Sequence, residues 1–215
     1  MRFYRNNWFR IGAIFFVLIA FGMLFWGNRV SVTQRLLIAS LMALLLHQYE
    51  EYEWPGGAPI VINRVFYGEP TDYRRYPGNW QSIMLVNTLA YIPYLAAIIW
   101  PTWYWLGIGT MFFNLFQFLG HAFKMNFGMK TWYNPGLATV IVLMMPISIA
   151  YWVHIWPIVG GWSWGLGIIA LVVMLIVTVI LPVQLLKSRT TDAVIPERQI
   201  RQFNWVKKAA AIRRN

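Results

Sequence analysis

The chain has 215 residues, of which 59% are apolar, 18% aromatic and only 12% charged. Soluble domains have about 25% charged residues, so this composition predicts an integral membrane protein and excludes a separate soluble domain. The formal net charge of +11 does not predict nucleic-acid binding, because the basic residues fall between and after apolar runs and form no basic-aromatic face. Cysteine is absent, which excludes disulfides, thiolate metal ligands and a cysteine nucleophile.

Six apolar runs follow along the chain, each close to the roughly 20 residues that a helix needs to cross the hydrocarbon. They lie near residues 8–26, 36–53, 81–100, 103–122, 136–156 and 162–186. The first run is too long for the core of a signal peptide, and no small-x-small cleavage site follows it before Arg29. The predicted fold is therefore all-α, a polytopic bundle of six transmembrane helices over residues 1–190 with a basic cytoplasmic tail over 191–215.

The basic residues predict the topology of this bundle. If both termini lie on one side of the membrane, that side holds sixteen of the 18 Lys and Arg residues, Arg213 and Arg214 among them. The other side then holds only Arg29 and Arg35. By the positive-inside rule we expect both termini to be cytoplasmic. We expect an integral, multi-pass protein of a bacterial plasma (inner) membrane, in contact with anionic lipids.

Under this topology, four helices bring their most polar residues to the cytoplasmic leaflet. These residues are His47, Glu50, Glu51, Asn87, Asn114, Gln117, His121 and Tyr133. Ionisable side chains at membrane depth are costly, so such a cluster is a functional-site hypothesis. The alternative is a hydrogen-bond network that only holds the bundle together, with each bond contributing about 0.6 kcal/mol.

The spacing of the polar residues on the second span predicts a metal site. Residues four apart share a helix face, so His47 and Glu51 can bind one ion. His121 from the fourth span would complete a set of two histidines and one carboxylate, as in catalytic zinc and non-haem iron sites. Glu50 borders this face and is predicted to be the general base that orients a metal-bound water. The predicted positioning residues are Asn87 and Asn114. We expect a divalent metal, with zinc as the first candidate.

These residues resemble a family of small membrane proteins named for its HXXEE motif, which stands here at His47–Glu51. Later elements are also similar: Asn87 in the next span, His121 at the end of the following one, and Tyr-x-Pro-Gly at Tyr133–Gly136. The resemblance covers about residues 40–150. It implies a shared site that includes His47, Glu50, Glu51 and His121, and it names no reaction.

The adjacent glutamates are also similar to the first motif of glutamate-dependent intramembrane proteases of the CAAX-processing type. Those enzymes have an Arg three residues after the pair, where this chain has Trp54. They also have a Phe four residues before the histidine, where this chain has Gln117. The departures argue against membership, and the chemistry of a glutamate-activated water inside a helical bundle is kept as a model.

The first hypothesis for function is a metal-dependent hydrolase that acts on a lipid-like or prenyl-type substrate at the cytoplasmic leaflet, since one open metal position and one free carboxylate suffice. Di-iron oxidation is disfavoured, because such sites need more His and Glu ligands. The alternatives are a proton or metal-ion transporter that uses the glutamate pair as its carrier site, and a membrane scaffold without catalytic activity. The inverted repeats of an alternating-access transporter are not found in the sequence.

Overall fold

The structure is a computed structural model that describes residues 2–212, so Arg213 and Arg214 of the charge count lie outside it. Within this range the chain is helical, with one isolated β-bridge between Thr131 and Ala211. The α-helices are α1 (Arg2–Trp26), α2 (Val32–Tyr52), α3 (Ala58–Val61), α4 (Trp80–Leu89), α5 (Tyr91–Ile99), α6 (Tyr104–Leu119), α7 (Asn126–Met129), α8 (Leu137–Thr139), α9 (Met145–Ile155), α10 (Gly161–Met174), α11 (Leu181–Leu186) and α12 (Glu197–Ala209). Four π-helical segments continue α3, α6, α8 and α10, namely π1 (Ile62–Phe66), π2 (Gly120–Met125), π3 (Val140–Met144) and π4 (Leu175–Ile180).

Four of the described helical stretches are long and apolar enough to cross a membrane. They are Arg2–Arg29, Trp80–Ile99, Leu137–Ile155 and Gly161–Leu186, and they match the first, third, fifth and sixth predicted spans. The second and fourth predicted spans coincide with α2 and with α6 plus π2, whose polar side chains lower their mean hydropathy. An all-helical membrane protein is thus supported, while the count of six spans and the side of the termini stay predictions.

Helix α2 packs against α1, α5 and α9. It begins with a capping box, in which Ser31 Oγ accepts from the backbone N–H of Gln34 and the Gln34 side chain accepts from the Ser31 N–H. Its buried residues become polar toward the end of the helix, where the candidate site lies. The buried residues of this last part are His47, Gln48, Glu50, Glu51 and Tyr52.

Helix α12 caps the end of α2. The last carbonyl oxygens of a helix have no partner within it and need donors from elsewhere. Gln199 donates a 2.7 Å hydrogen bond to the Tyr52 carbonyl oxygen, and Gln202 donates one of 2.6 Å to that of Glu53. Phe203 and Val206 of α12 are buried. This part of the predicted tail is therefore packed onto the bundle at the end of α2.

Ion pairs of two glutamates, Glu53 and Glu69, hold the segments around this end of the bundle. Glu53, at the end of α2, pairs with Arg10 of α1 at 2.9 Å and with Arg198 of α12 at 2.8 Å. The backbone N–H of Asp72, and next the guanidinium of Arg189, lower the pKa of Glu69 to about 2. The pair of Glu69 with Arg189 joins the connection between π1 and α4 to the connection between α11 and α12.

Candidate metal centre

The last turns of α2 and the segment π2 bring the three predicted metal ligands together. His47 and Glu51 lie one turn apart on α2, with His47 Nε2 at 3.8 Å from Glu51 Oε2. His121 of π2 has its Nε2 atom 3.4 Å from Glu51 Oε1. All three residues are buried, and one ligand atom of each lies within 4.8 Å of the others. The prediction that these side chains form a group able to hold a metal ion is confirmed.

The hydrogen bonds of His47 determine which ring nitrogen is protonated. Its Nδ1 atom lies 3.2 Å from the carbonyl oxygen of Gly136 and 3.1 Å from Oγ1 of Thr139. A carbonyl oxygen only accepts, so in the neutral ring the proton is assigned to Nδ1 and Nε2 carries the lone pair. The buried Nε2 atom has no hydrogen-bond partner among the described residues. It is the nitrogen that points at Glu51.

His121 is oriented in the same way by Asn134. The Asn134 amide nitrogen donates to the carbonyl oxygen of His121 at 2.8 Å and to Oδ1 of Asn126 at 2.7 Å. These bonds fix the amide orientation, so Asn134 Oδ1 is the acceptor of the 2.6 Å bond from His121 Nδ1. The proton is therefore on Nδ1 here as well. The buried Nε2 atom of His121 is left without a partner in the described part of the chain.

Three acceptor groups therefore face one another in a buried position. Two imidazole lone pairs and a carboxylate gain nothing from one another without a proton or a cation between them, and unpaired buried polar groups are costly. Tetrahedral ligands at about 2.1 Å from zinc are about 3.4 Å apart. His121 Nε2 lies 3.4 Å from Glu51 Oε1 and His47 Nε2 lies 3.8 Å from Glu51 Oε2, so each histidine faces a different carboxylate oxygen at about this separation. The donor set and its spacing fit a divalent cation.

Glu50, the predicted general base, has a different environment from its neighbour. Its Oε1 atom accepts from the Tyr133 hydroxyl at 2.7 Å and from the Ala138 N–H at 3.1 Å. Its Oε2 atom accepts from the Thr139 N–H at 2.8 Å and the Thr139 hydroxyl at 2.6 Å. A carboxylate has about four lone-pair positions, and all four are used. Glu50 thus caps the start of α8 with all four acceptor positions in use, and its predicted role as general base stays a prediction.

The start of α8 is shaped by Gly136. This residue has φ +103°, in the left-handed region that L side chains rarely adopt. A Cβ atom at this position would overlap Cε1 of His121 and lie 2.7 Å from Cε1 of His47. Only glycine allows both imidazoles to approach the backbone here. Its carbonyl oxygen is also the acceptor that orients His47.

The two predicted positioning residues lie in different places. Asn87 lines the cavity beside Glu51, where its amide nitrogen donates to the Tyr52 hydroxyl at 2.9 Å. Asn114 does not line this cavity. It lies in a second buried polar cluster, where it donates to Ser40 at 2.9 Å and to Ser148 at 3.1 Å. Asn87 is therefore placed to meet a ligand in the cavity, whereas Asn114 joins helices α2, α6 and α9.

A cavity of about 100 Å³ lies on the side of the metal group formed by Glu51 and His121. Its polar walls are Gln48, Asn87 and Gln117, and the rest of its lining is largely apolar, from α2, α4, α6, π1 and π4. Segment π2 places His121 in this wall, and π-helical turns inside α-helices are frequent at functional sites. A fourth ligand of a metal ion would reach it from this cavity.

The structure adds residues that are not among the predicted metal ligands, base or positioning residues. Thr139, Asn134, Asn126 and Gly136 orient the imidazoles, and Tyr133 bonds to Glu50. Tyr133 belongs to the predicted polar cluster, whereas Asn134 and Gly136 enter the prediction only through the resemblance at Tyr133–Gly136, which their contacts explain. Thr139 lies three residues after that segment and Asn126 seven residues before it, and neither has a signal of its own in the sequence.

Comparison with known proteins identifies the family. A family model described as "Protein of unknown function with HXXEE motif" matches residues 38–151, which is more than half of the chain. The chain belongs to this family, and the matched region contains all the residues of the metal group and of the network around it. A search of curated proteins and a search of solved structures each gave no match.

Proposed function

We propose that this member of the HXXEE family is a membrane-embedded, divalent-metal-dependent hydrolase that acts on a lipid-like substrate at the cytoplasmic leaflet. The observation that carries the proposal is the group of His47, Glu51 and His121, in which two unprotonated imidazole nitrogens face a carboxylate with no donor between them. Two histidines and one glutamate are also the ligand set of zinc hydrolases such as thermolysin. Zinc is therefore the first candidate.

The residues of this chain would divide the work as follows. His47, Glu51 and His121 hold the ion, and Asn134, Thr139 and Gly136 keep the imidazoles in the orientation that points Nε2 inward. A three-ligand set leaves one coordination position open, and a bound zinc ion lowers the pKa of a water there to about 7. Asn87 lies on the cavity wall beside Glu51 and would contact a substrate in that position.

Hydrolysis in this scheme does not use Glu50 as a base, because its acceptor positions are occupied. Glu50 supports the site through Thr139, whose hydroxyl donates to Glu50 and lies 3.1 Å from His47 Nδ1. Such partners of metal-bound histidines orient the ligand and raise its basicity. Glu50 is thus a positioning residue and Glu51 the ligand, which assigns different tasks to the two adjacent glutamates.

A lipid-like substrate is supported by the surroundings of the group. The cavity walls are largely apolar, and helices long and apolar enough to cross a membrane supply part of them. The cytoplasmic side is supported by the distribution of Lys and Arg, which places the end of α2 on the same side as both termini. Both arguments favour a substrate taken from the membrane.

The test measures metal content and hydrolysis in the purified protein in lipid nanodiscs. Wild type should retain about one zinc ion per chain after desalting, as expected of a site with three protein ligands. Glu51→Gln removes the carboxylate ligand and should lower the zinc affinity. Loss of an outer partner lowers metal affinity by about 10- to 100-fold, and loss of this ligand should lower it by more. Glu53→Gln is the matched control, since Glu53 lies two residues further on and pairs with Arg10 and Arg198. It should retain the zinc.

Hydrolysis is tested with ester, amide and phosphoester lipids at the same zinc concentration. Zinc-dependent cleavage in wild type and Glu53→Gln, but not in Glu51→Gln, is expected. A protein that retains no zinc in any preparation contradicts the metal centre. A protein that retains zinc but cleaves none of the three bond types contradicts the hydrolase.

A further inference from the structure

A second, larger space lies beside the metal cavity. It is a groove of about 630 Å³ between α5, α6 and α10 with π4, within the 300–1,000 Å³, roughly, that ligand pockets occupy. Representative lining residues are Leu89, Ile92, Leu106, Ile169, Val173 and Val177. Two of its walls belong to stretches long enough and apolar enough to cross a membrane. The groove therefore lies where hydrocarbon chains are available.

The groove offers a ligand almost nothing but carbon. Thr178 is the one hydroxyl-bearing residue in its lining, and its Oγ1 donates a 2.8 Å hydrogen bond to the Met174 carbonyl oxygen. A polar ligand would lose most of its hydrogen bonds with water here, since Thr178 and the Trp105 indole are the polar side chains of the lining. An apolar chain makes close dispersion contacts in such a groove without that cost.

The groove and the metal cavity are neighbours along the same two helical stretches. Leu89 and Thr178 line the groove, and the next residues in the chain, Ala90 and Val179, line the metal cavity. Met174 lines the groove and packs in one buried cluster with Ala90. The two spaces thus share a wall, and a molecule that lies in the groove along these helices has one end beside the cavity that Glu51 lines.

We propose that the groove binds the apolar chain of a single-tailed amphiphile, of the fatty-acyl or isoprenoid class, whose small polar head reaches the metal cavity. This inference rests on the proposed function and names its substrate class. A small head follows from the cavity volume of about 100 Å³, which is well below the 300 Å³ or so of ordinary ligand pockets. One apolar chain is assigned to this groove, and a two-chain phospholipid is the comparison ligand.

The probe for this proposal is a palmitic acid analogue with a diazirine in the middle of its chain, applied to zinc-loaded wild-type protein in nanodiscs. After photolysis, the labelled peptides should come from residues 89–96 and 166–178. A phosphatidylcholine with the same diazirine in one chain is the comparison probe, and it should label the lipid-facing surface without enrichment there. Equal labelling of the groove by both probes, or no enrichment by the fatty acid, overturns the proposal.

Two pairs of adjacent residues on α10 supply matched variants. Val173 and Ile169 line the groove, whereas Val172 and Ile168 do not, and all four are half-exposed, between 48% and 57%. Val173→Trp and Ile169→Trp fill the groove and should reduce fatty-acid labelling by at least about tenfold, which corresponds to 1.4 kcal/mol. Val172→Trp and Ile168→Trp add the same side chain outside the groove and should label like wild type. Equal labelling within both pairs contradicts the proposal.

The labelling is read without turnover, so the two proposals fail separately. Labelling of the groove in a protein that cleaves no lipid contradicts the hydrolase and keeps the fatty-chain site. The protein could instead cleave lipids while Val173→Trp and Ile169→Trp change neither labelling nor cleavage. That result supports the hydrolase and contradicts the groove as the binding site of the chain.

Discussion

Two buried polar clusters lie along α2 and α6, and only one of them has the properties of a ligand site. In the first, His47, Glu51 and His121 meet with two imidazole nitrogens unpaired. In the second, the Asn114 side chain accepts a 2.6 Å bond from the Tyr94 hydroxyl and donates to two serines, so its donors and its acceptor are all used. Polar burial in a membrane bundle therefore does not identify a site by itself. A site is identified by several buried acceptor groups that converge on one point without a donor.

Apolar side chains separate the two clusters. Leu44 lies on α2 one turn from Ser40 and one turn from His47, and it belongs to a buried apolar cluster. Val140 and Met144 of π3 belong to the same cluster. An ion that moved from the first cluster to the second would have to cross this layer. The separation favours a one-sided catalytic site over a transport path.

The largest effect is expected from Gly136→Ala, which would break the first cluster and spare the second. The added methyl group overlaps His121 and crowds His47, and the left-handed backbone is strained by about 1–3 kcal/mol. We expect loss of zinc binding and a lower free energy of unfolding, measured by metal analysis and thermal denaturation. Gly68→Ala is the control, because Gly68 also has a positive φ, +69°, but no atom within 4 Å of an added Cβ. Equal effects in both variants would show that backbone strain alone is responsible.

The next largest effect is expected from Glu50→Gln. This variant tests whether Glu50 acts by holding the start of α8 or as a general base. Each carboxylate oxygen accepts one backbone N–H, from Ala138 or from Thr139, so either orientation of the new amide turns its NH₂ toward one of them. We expect a destabilisation of about 1–3 kcal/mol for the unpaired group. Zinc affinity should fall by up to about 10- to 100-fold, through the displaced Thr139.

The same variant tests the alternative role of Glu50. A general base contributes about 10²- to 10⁴-fold to the rate, so its loss would lower turnover at full zinc occupancy and leave stability unchanged. The measurement is hydrolysis at saturating zinc, beside thermal denaturation of the same preparation. A stable, zinc-replete Glu50→Gln protein with that loss of rate would contradict the anchoring role.

The adjacent residues Glu50 and Glu51 show which parts of the site the sequence does not predict. The spacing of His47 and Glu51 on one helix face, and the matching depth of His121, are sufficient to predict the metal group. The roles of Glu50 and Glu51 are not predictable in this way, because they depend on where α8 begins and on how π2 turns the His121 ring. Both are set by tertiary packing. A π-helical turn has no sequence signal comparable to a helix cap.

The fold shows the same division. The apolar runs give three of the four long spanning stretches to within one residue at each end, while the first stretch begins six residues earlier and ends three residues later than predicted. They do not reveal that α12 returns to cap α2, because the donors are two glutamines and an arginine on a helix that also suits a lipid surface. Asn114 was assigned to the site by depth alone. Depth does not distinguish two clusters that lie two helical turns apart on the same helices.

A smaller effect is expected from Asn114→Leu, which would break the second cluster alone. Its three hydrogen bonds join α2, α5, α6 and α9, and at about 0.6 kcal/mol each their loss amounts to about 2 kcal/mol of stability. Thermal denaturation should show this loss, while zinc affinity stays at the wild-type value. A fall in zinc affinity in folded protein would contradict the separation of the two clusters and restore Asn114 to the site.

The smallest effect comes from a matched pair of tyrosines, one for each cluster. Tyr94→Phe removes the hydroxyl that donates to Asn114, and Tyr133→Phe removes one of the four donors to Glu50. Each should lower the free energy of unfolding by about 0.5–1.5 kcal/mol, the usual net contribution of one hydrogen bond. Only Tyr133→Phe should weaken zinc binding. The loss of affinity should be less than about tenfold, which is the smallest effect usual for loss of an outer partner, because Glu50 keeps three donors. Calorimetric zinc titration distinguishes the two variants. Tyr94 hydrogen-bonds to Asn114 of the second cluster, so an equal change of zinc affinity in both variants would mean that the two clusters respond as one unit.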